Sequence, residues 1–148
     1  YRCWEDREIG FRSLLRRRFP RIKIVEVVPE SDSARAIHEA AQRVLGTDPS
    51  IGGIYNVAGE GHGLAQAINE MQLPCRPLYI THEFDDATEP LLRAGAIDFL
   101  ITENLETIMS AAKRFLIGLR TGATRSGEVH LIPIELISKF NLRLRTAL

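Results

Sequence analysis

The residues with the most chemistry to offer surround a glycine turn. Gly59, Gly61 and Gly63, with Glu60 and His62 between them, follow the short apolar run Ile54, Tyr55, Val57 and precede Leu64, Ala65, Ala67 and Ile68. A strand that ends in glycines and feeds a helix N-terminus is where open α/β sheets place their ligands, because backbone N–H groups point outward there. The spacing invites a dinucleotide site, with Glu83 about twenty residues further on as the ribose-binding acid. The pattern breaks at Leu64, where G-x-G-x-x-G requires a third glycine. A nicotinamide- or flavin-dependent enzyme is the weakest reading, and no cofactor is expected.

Other reactive groupings are thinner still. His38, His62, His82 and His130 are dispersed, without HExxH or Cys/His spacing, so no metal site is expected. There is no G-x-S-x-G elbow, and neither Cys3 nor Cys75 has an obvious histidine partner. Within Glu83, Asp85 and Asp86, Asp86 with Glu89 fits a helix capping box, which leaves Glu83 as the functional carboxylate. No catalytic residue emerges, and the chain reads as a binder, not an enzyme.

The elements that must position these groups alternate. Residues 4–18 form an amphipathic helix with Trp4, Phe11, Leu14 and Leu15 on one face, ended by Pro20. Ile22–Val28 is dense in β-branched residues and reads as a strand. Ser31, Asp32 and Ser33 are candidate caps for a helix over Ala34–Leu45 that Gly46 stops. After the strand at Ile54–Val57 and its helix, which runs to about Gln72, come a strand at Pro77–His82 and a short helix ending at Gly95. A strand at Ile97–Thr102, a helix at Leu105–Leu119 and a last strand at Val129–Ile137 complete the order, with Lys139–Leu148 unpatterned. Strands alternating with helices imply an α/β, doubly wound, mostly parallel sheet with helices on both faces. Its C-terminal strand ends gather Asn56–His62, His82–Glu83 and Thr102–Asn104, Glu103 among them. These amide, imidazole and carboxylate groups suit a polyhydroxylated or similarly polar small molecule.

Composition sets the bounds. The 148 residues carry 19 basic and 19 acidic side chains, so net charge gives no footprint for nucleic acid. The basic cluster Arg16, Arg17, Arg18, Arg21 is a solvated helix end that complements the macrodipole. Two cysteines without a close motif read as unpaired thiols, which fits a reducing compartment. No apolar run approaches the ~18 residues of a transmembrane helix. The chain opens on a helix, with neither an initiator Met nor a leading strand, and is expected to be part of a larger protein.

The segments Arg7-Glu8-Ile9-Gly10-Phe11, GIYNVAGEGHGLAQAI, YITHEFDDATEPLLRAGAIDFLITEN, and RFLIGLRTG followed by HLIPIEL resemble, in order and spacing, the sugar-binding core of lactose-repressor-like bacterial transcription regulators. Those regulators share a fold with type I periplasmic binding proteins. The resemblance implies a partial ligand-binding domain over residues 1–142, mainly the C-terminal lobe, with a tail at 143–148. The DNA-binding domain and most of the first lobe lie outside the chain. It implies that Arg7 contacts the ligand from the first helix and that Asn56 to Gly59, with Glu60 beside them, supply loop contacts. Glu83 takes the place of the acid that grips sugar hydroxyls, His82 neighbours it, and Glu103 stands where glutamine is common. The expected protein is a cytoplasmic, homodimeric, effector-sensing regulator that binds a sugar or sugar derivative and reaches operator DNA through a domain absent here. The alternative is the soluble sugar receptor of an uptake transporter. Because the strand expected before Tyr1 would fill the middle of the sheet, the isolated chain is expected to associate, by exchange of an element.

Overall fold

A computed structural model describes residues 2–58, 61–125, 127 and 129–142. The first helix, α1 (Arg2–Arg18), has Glu5 in its first turn and Arg16, Arg17 and Arg18 in its last, the charge order a helix macrodipole favours. None of its residues is buried, so the face read as core is only partly covered. Phe11 is half-buried, and Leu14 is exposed.

The expected strand at Ile22–Val28 does not form. Arg12 pairs with Glu26 at 2.7 Å, yet Val28 remains 76% exposed. β-Branched residues favour strands because a pleated neighbour gives them something to pack on. Among the described residues no strand pairs with this stretch, so its propensity has nothing to act on.

Ser33 caps α2 (Ala34–Thr47), its hydroxyl accepting from the Ala36 N–H at 3.3 Å. The helix runs through Gly46, which does not stop it, and closes at Asp48. Three parallel strands follow in turn, β1 (Gly53–Tyr55), β2 (Leu78–His82) and β3 (Phe99–Glu103), with β4 (Ile134–Ile137) antiparallel on β3. The sheet order is β1-β2-β3-β4. The last strand is shorter than the Val129–Ile137 expected. Pairing begins after Pro133, which has no N–H for a ladder. His130 therefore lies outside the strand and meets the Phe115 ring edge-on at 5.2 Å.

Helices α3 (Gly61–Glu70) and α4 (Thr88–Ala94) join α2 over one face, and α5 (Leu105–Thr121) follows β3. The core gathers Leu45 of α2, Leu64, Ala65 and Ile68 of α3, Leu92 of α4, and Tyr79 and Leu100 of the sheet. Each Leu or Ile enclosed there contributes about 1.5–3 kcal/mol. His38 lies on α2, with no metal-binding spacing in the sequence. Its Nε2 meets Glu70 at 2.7 Å and ties α2 to α3.

Apart from Gly46, the helix ends follow their sequence signals with one exception. Gly95 and Gly122 close α4 and α5 in the left-handed region at φ 74, and Asn104 caps α5 by accepting from the Thr107 N–H. The exception is the capping box at Asp86. It is the Asp85 carboxylate that accepts from the Ala87 and Thr88 N–H groups, at 2.9 and 2.7 Å. Both cysteine thiols are free and exposed. Residues 143–148, read as a tail, lie outside the described residues. The alternation of strand and helix thus produces the α/β, mostly parallel sheet that was expected.

Candidate ligand-binding site

Tyr55 and His82 are the last residues of β1 and β2. Tyr55 is in register with Ile80, so His82, two residues on, shares its face of the sheet and lies within reach on the diagonal. The Tyr55 hydroxyl and His82 Nε2 meet at 2.7 Å. From above, α1 lays the Phe11 ring on Tyr55, centroids 4.6 Å apart. One turn earlier on α1, Arg7 donates to the Val57 carbonyl at 2.9 Å and so spans from helix to strand end.

This setting fixes the charge states. Burial, and then the Arg7 guanidinium, pull the His82 pKa down to about 4, so the imidazole is neutral at physiological pH. Burial raises the Tyr55 phenol against the opposing pull of Arg7, and the phenol keeps its proton.

Glu83 follows directly, at φ 69 in the left-handed region that a side chain seldom enters. Both of its backbone groups are held: the N–H donates to the Ile101 carbonyl at 3.2 Å, and the carbonyl accepts from the Thr88 hydroxyl at 3.1 Å. The surrounding bonds hold this conformation in place, and the carboxylate stands exposed at the strand end. Strain of this kind gathers at functional sites.

The other expected site residues divide. Asn56 ties its loop to β2: its amide donates to Thr81 Oγ1 at 3.3 Å and its carbonyl accepts from the Ala58 N–H at 3.2 Å. Glu103 ends β3 one strand further away, exposed and opposite Ile134. Gly59 and Glu60 lie outside the described residues. The structure therefore brings Arg7, His82 and Glu83 to one strand end, with Asn56 shaping the loop beside them. A surface depression lined by Glu106, Thr107, Ser110 and Arg114 runs along α5 and shares none of these residues.

The glycines have a packing explanation. A Cβ at Gly61 would stand 2.8 Å from the Tyr79 hydroxyl, which donates to the Gly61 carbonyl at 3.0 Å. A Cβ at Gly63 would overlap the Ala34 carbonyl. Close approach of α3 to β2 and α2 accounts for both residues without a phosphate.

Tyr55 is the residue that sequence reasoning passed over as part of an apolar run. The available signal was its place at a strand end with a histidine at the next strand's end.

No family model matches the sequence, and no curated protein matches it. Solved structures do. AraP, an arabinose-binding protein from Geobacillus stearothermophilus, is 25% identical with a TM-score of 0.78, over 93% of this chain and 50% of that one. The sugar-binding protein of a sugar ABC transporter from Bacillus halodurans is 21% identical with a TM-score of 0.79, over 93% of this chain and 51% of that one. GanP, a glucose-galactose-binding protein from Geobacillus stearothermophilus, is 19% identical with a TM-score of 0.77, over 93% and 49%. The chain has a type I periplasmic-binding-protein-like fold.

This fold was expected, but the regulator built on it was not upheld. Several of the matching structures are described as sugar- or solute-binding proteins, some of them of transporters, which overturns the reading of a lactose-repressor-like, DNA-controlling regulator. The cytoplasmic placement and the regulatory role fall with it. The two groups share the fold, so the motifs that carried the resemblance reported architecture, and the choice between them lay elsewhere. The matches are binding proteins, in agreement with a chain that is not an enzyme. The chain spans about half the length of the structures it matches.

Proposed function

We propose that this chain is one lobe of a sugar-binding protein that delivers its ligand to an uptake transporter outside the cytoplasm. The observation that carries the reading is the convergence of Arg7, His82 and Glu83 at the C-terminal ends of parallel strands, on the fold of sugar-binding proteins. Guanidinium and carboxylate are complementary to sugar oxygens and hydroxyls, and the strand-end edge is where open α/β sheets bind ligands. Asn56 contributes by holding the loop, and Glu103 lies on the rim. A second lobe supplies the opposite wall, so binding closes two lobes on a small polar molecule. Self-association is supported by the unpaired, β-prone Ile22–Val28 stretch and by the outer position of β1.

Titration calorimetry with arabinose, glucose and galactose tests the site. At least one sugar binds saturably, and Arg7→Ala and Glu83→Ala each weaken it about tenfold or more while the circular dichroism spectrum is retained. Unchanged binding in both variants would show the site to be elsewhere.

A further inference from the structure

The hydrogen-bond inventory of the strand-end cluster carries more than its composition. Tyr55 Oη and His82 Nε2 are each other's only side-chain partners among the described residues. No enclosed side-chain nitrogen or oxygen among those residues lacks a partner. His82 Nδ1 has none, so it reaches solvent, although the residue as a whole is only 6% exposed. One ring nitrogen is tied inward and the other is open at the strand end. Arg7 spends one N–H on Val57 and has no carboxylate partner among the described residues.

The direction of the Tyr55–His82 bond follows from acidity. A phenol is a stronger donor than a neutral imidazole N–H, and an imidazole nitrogen is a better acceptor than a phenol oxygen. The hydroxyl therefore donates to Nε2, and the ring proton resides on Nδ1.

We propose that Tyr55 is a positioning residue that holds His82 with Nδ1–H open to the ligand, so that Nδ1–H and the Arg7 guanidinium form a donor-only end of the site that takes a carboxylate, and that the preferred ligand is a sugar acid. This rests on the sugar-binding reading above and adds to it the class of sugar. A guanidinium and an N–H at one end match carboxylate oxygens through charge-assisted bonds, whereas the hydroxyls of a neutral sugar accept from the same donors more weakly and leave their own protons without an acceptor there. The exposed Glu83 carboxylate, an acceptor only, suits the hydroxyls of the remaining ring.

Two measurements on the whole chain test this. With ¹⁵N-labelled histidine, long-range ¹⁵N–¹H correlation reports which ring nitrogen of His82 carries the proton. The expected signature is Nδ1–H, shifting toward Nε2–H in Tyr55→Phe, which keeps the ring against Phe11. Calorimetry then compares D-galacturonate with D-galactose. Galacturonate binds about tenfold tighter or more, as a charge-assisted hydrogen bond implies. His82→Asn, whose amide sits near the Nδ1 position, retains that preference. His82→Gln, which reproduces the Nε2 position, loses it. An Nε2–H signature in the unsubstituted chain overturns the role of Tyr55. Galactose binding as tightly as galacturonate overturns the ligand class while sugar binding stands. If neither sugar binds, the sugar-binding reading and this inference fall together.

Discussion

Gly63 packs so closely on Ala34 that a methyl group at residue 63 would overlap the Ala34 carbonyl oxygen. The contact joins α3 to the start of α2 and sets how near the two helices lie. Gly63→Ala must push them apart, and overpacking of this kind costs about 1–3 kcal/mol. Gly10 is the control: it lies within α1 with nothing within 4 Å of its Cβ position. Gly10→Ala is expected to stabilise by about 0.5–1 kcal/mol through helix propensity alone. Urea denaturation of the two variants should move in opposite directions.

Asp98 anchors the other end of β2. Its Oδ2 accepts from the Tyr79 N–H at 2.8 Å and from the Arg76 guanidinium at 2.7 Å, while Arg76 also reaches the Ala96 carbonyl at 2.6 Å. Asp98→Ala leaves the Tyr79 N–H without this acceptor and is expected to cost about 1–3 kcal/mol. Asp98→Asn keeps an acceptor and should cost less. Equal losses in the two variants would argue against the backbone bond as the cause.

His82 makes stability depend on pH. Its folded pKa of about 4 lies below the ordinary 6.5, so between those values the unfolded chain holds a proton that the folded chain does not. Its contribution is complete above pH 6.5, falls as the pH drops through the window and levels off below about 4. The whole window is worth about 3 kcal/mol at most, and about 2 kcal/mol after screening by water at the strand end. Denaturation midpoints of the unsubstituted chain and His82→Asn, compared from pH 7 to pH 4, should converge as acid is added. A constant gap would remove His82 as the titrating group.

In the proposed site, Glu83 combines a strained backbone with an exposed carboxylate. Its left-handed backbone costs a side-chain-bearing residue about 1–2 kcal/mol. Glu83→Gly relieves that strain and gives part of it back as chain entropy, so the variant should be more stable by up to about 1 kcal/mol. Sugar binding should nonetheless weaken. A less stable Glu83→Gly would mean that the carboxylate itself supports the fold.

Most of the architecture was legible because it rests on local signals. Gly95 marks a helix end and Ser33 a helix start, and Leu64, Ile68, Tyr79 and Leu100 follow the core pattern. Ile22–Val28 misled because strand propensity depends on a neighbour that no local pattern supplies. At the site, Arg7 was named through resemblance and His82 and Glu83 through topology. Tyr55 was hidden because its ring counts as apolar while its hydroxyl carries the chemistry. Gly61 and Gly63 belong to the glycine turn, and their close contacts are within the protein, while Asn56 bonds Thr81 and the Ala58 N–H. Side-chain direction of this kind is not encoded in spacing.

Strand β2 is five residues long and serves different tasks at its two ends. Near its beginning, Tyr79 is locked by Asp98 and by the Gly61 carbonyl, and at its finish His82 bonds the Tyr55 hydroxyl at the proposed site. Substitutions at the two ends should therefore add with little coupling. The tip can be rewritten for a new ligand while the root keeps the sheet in register.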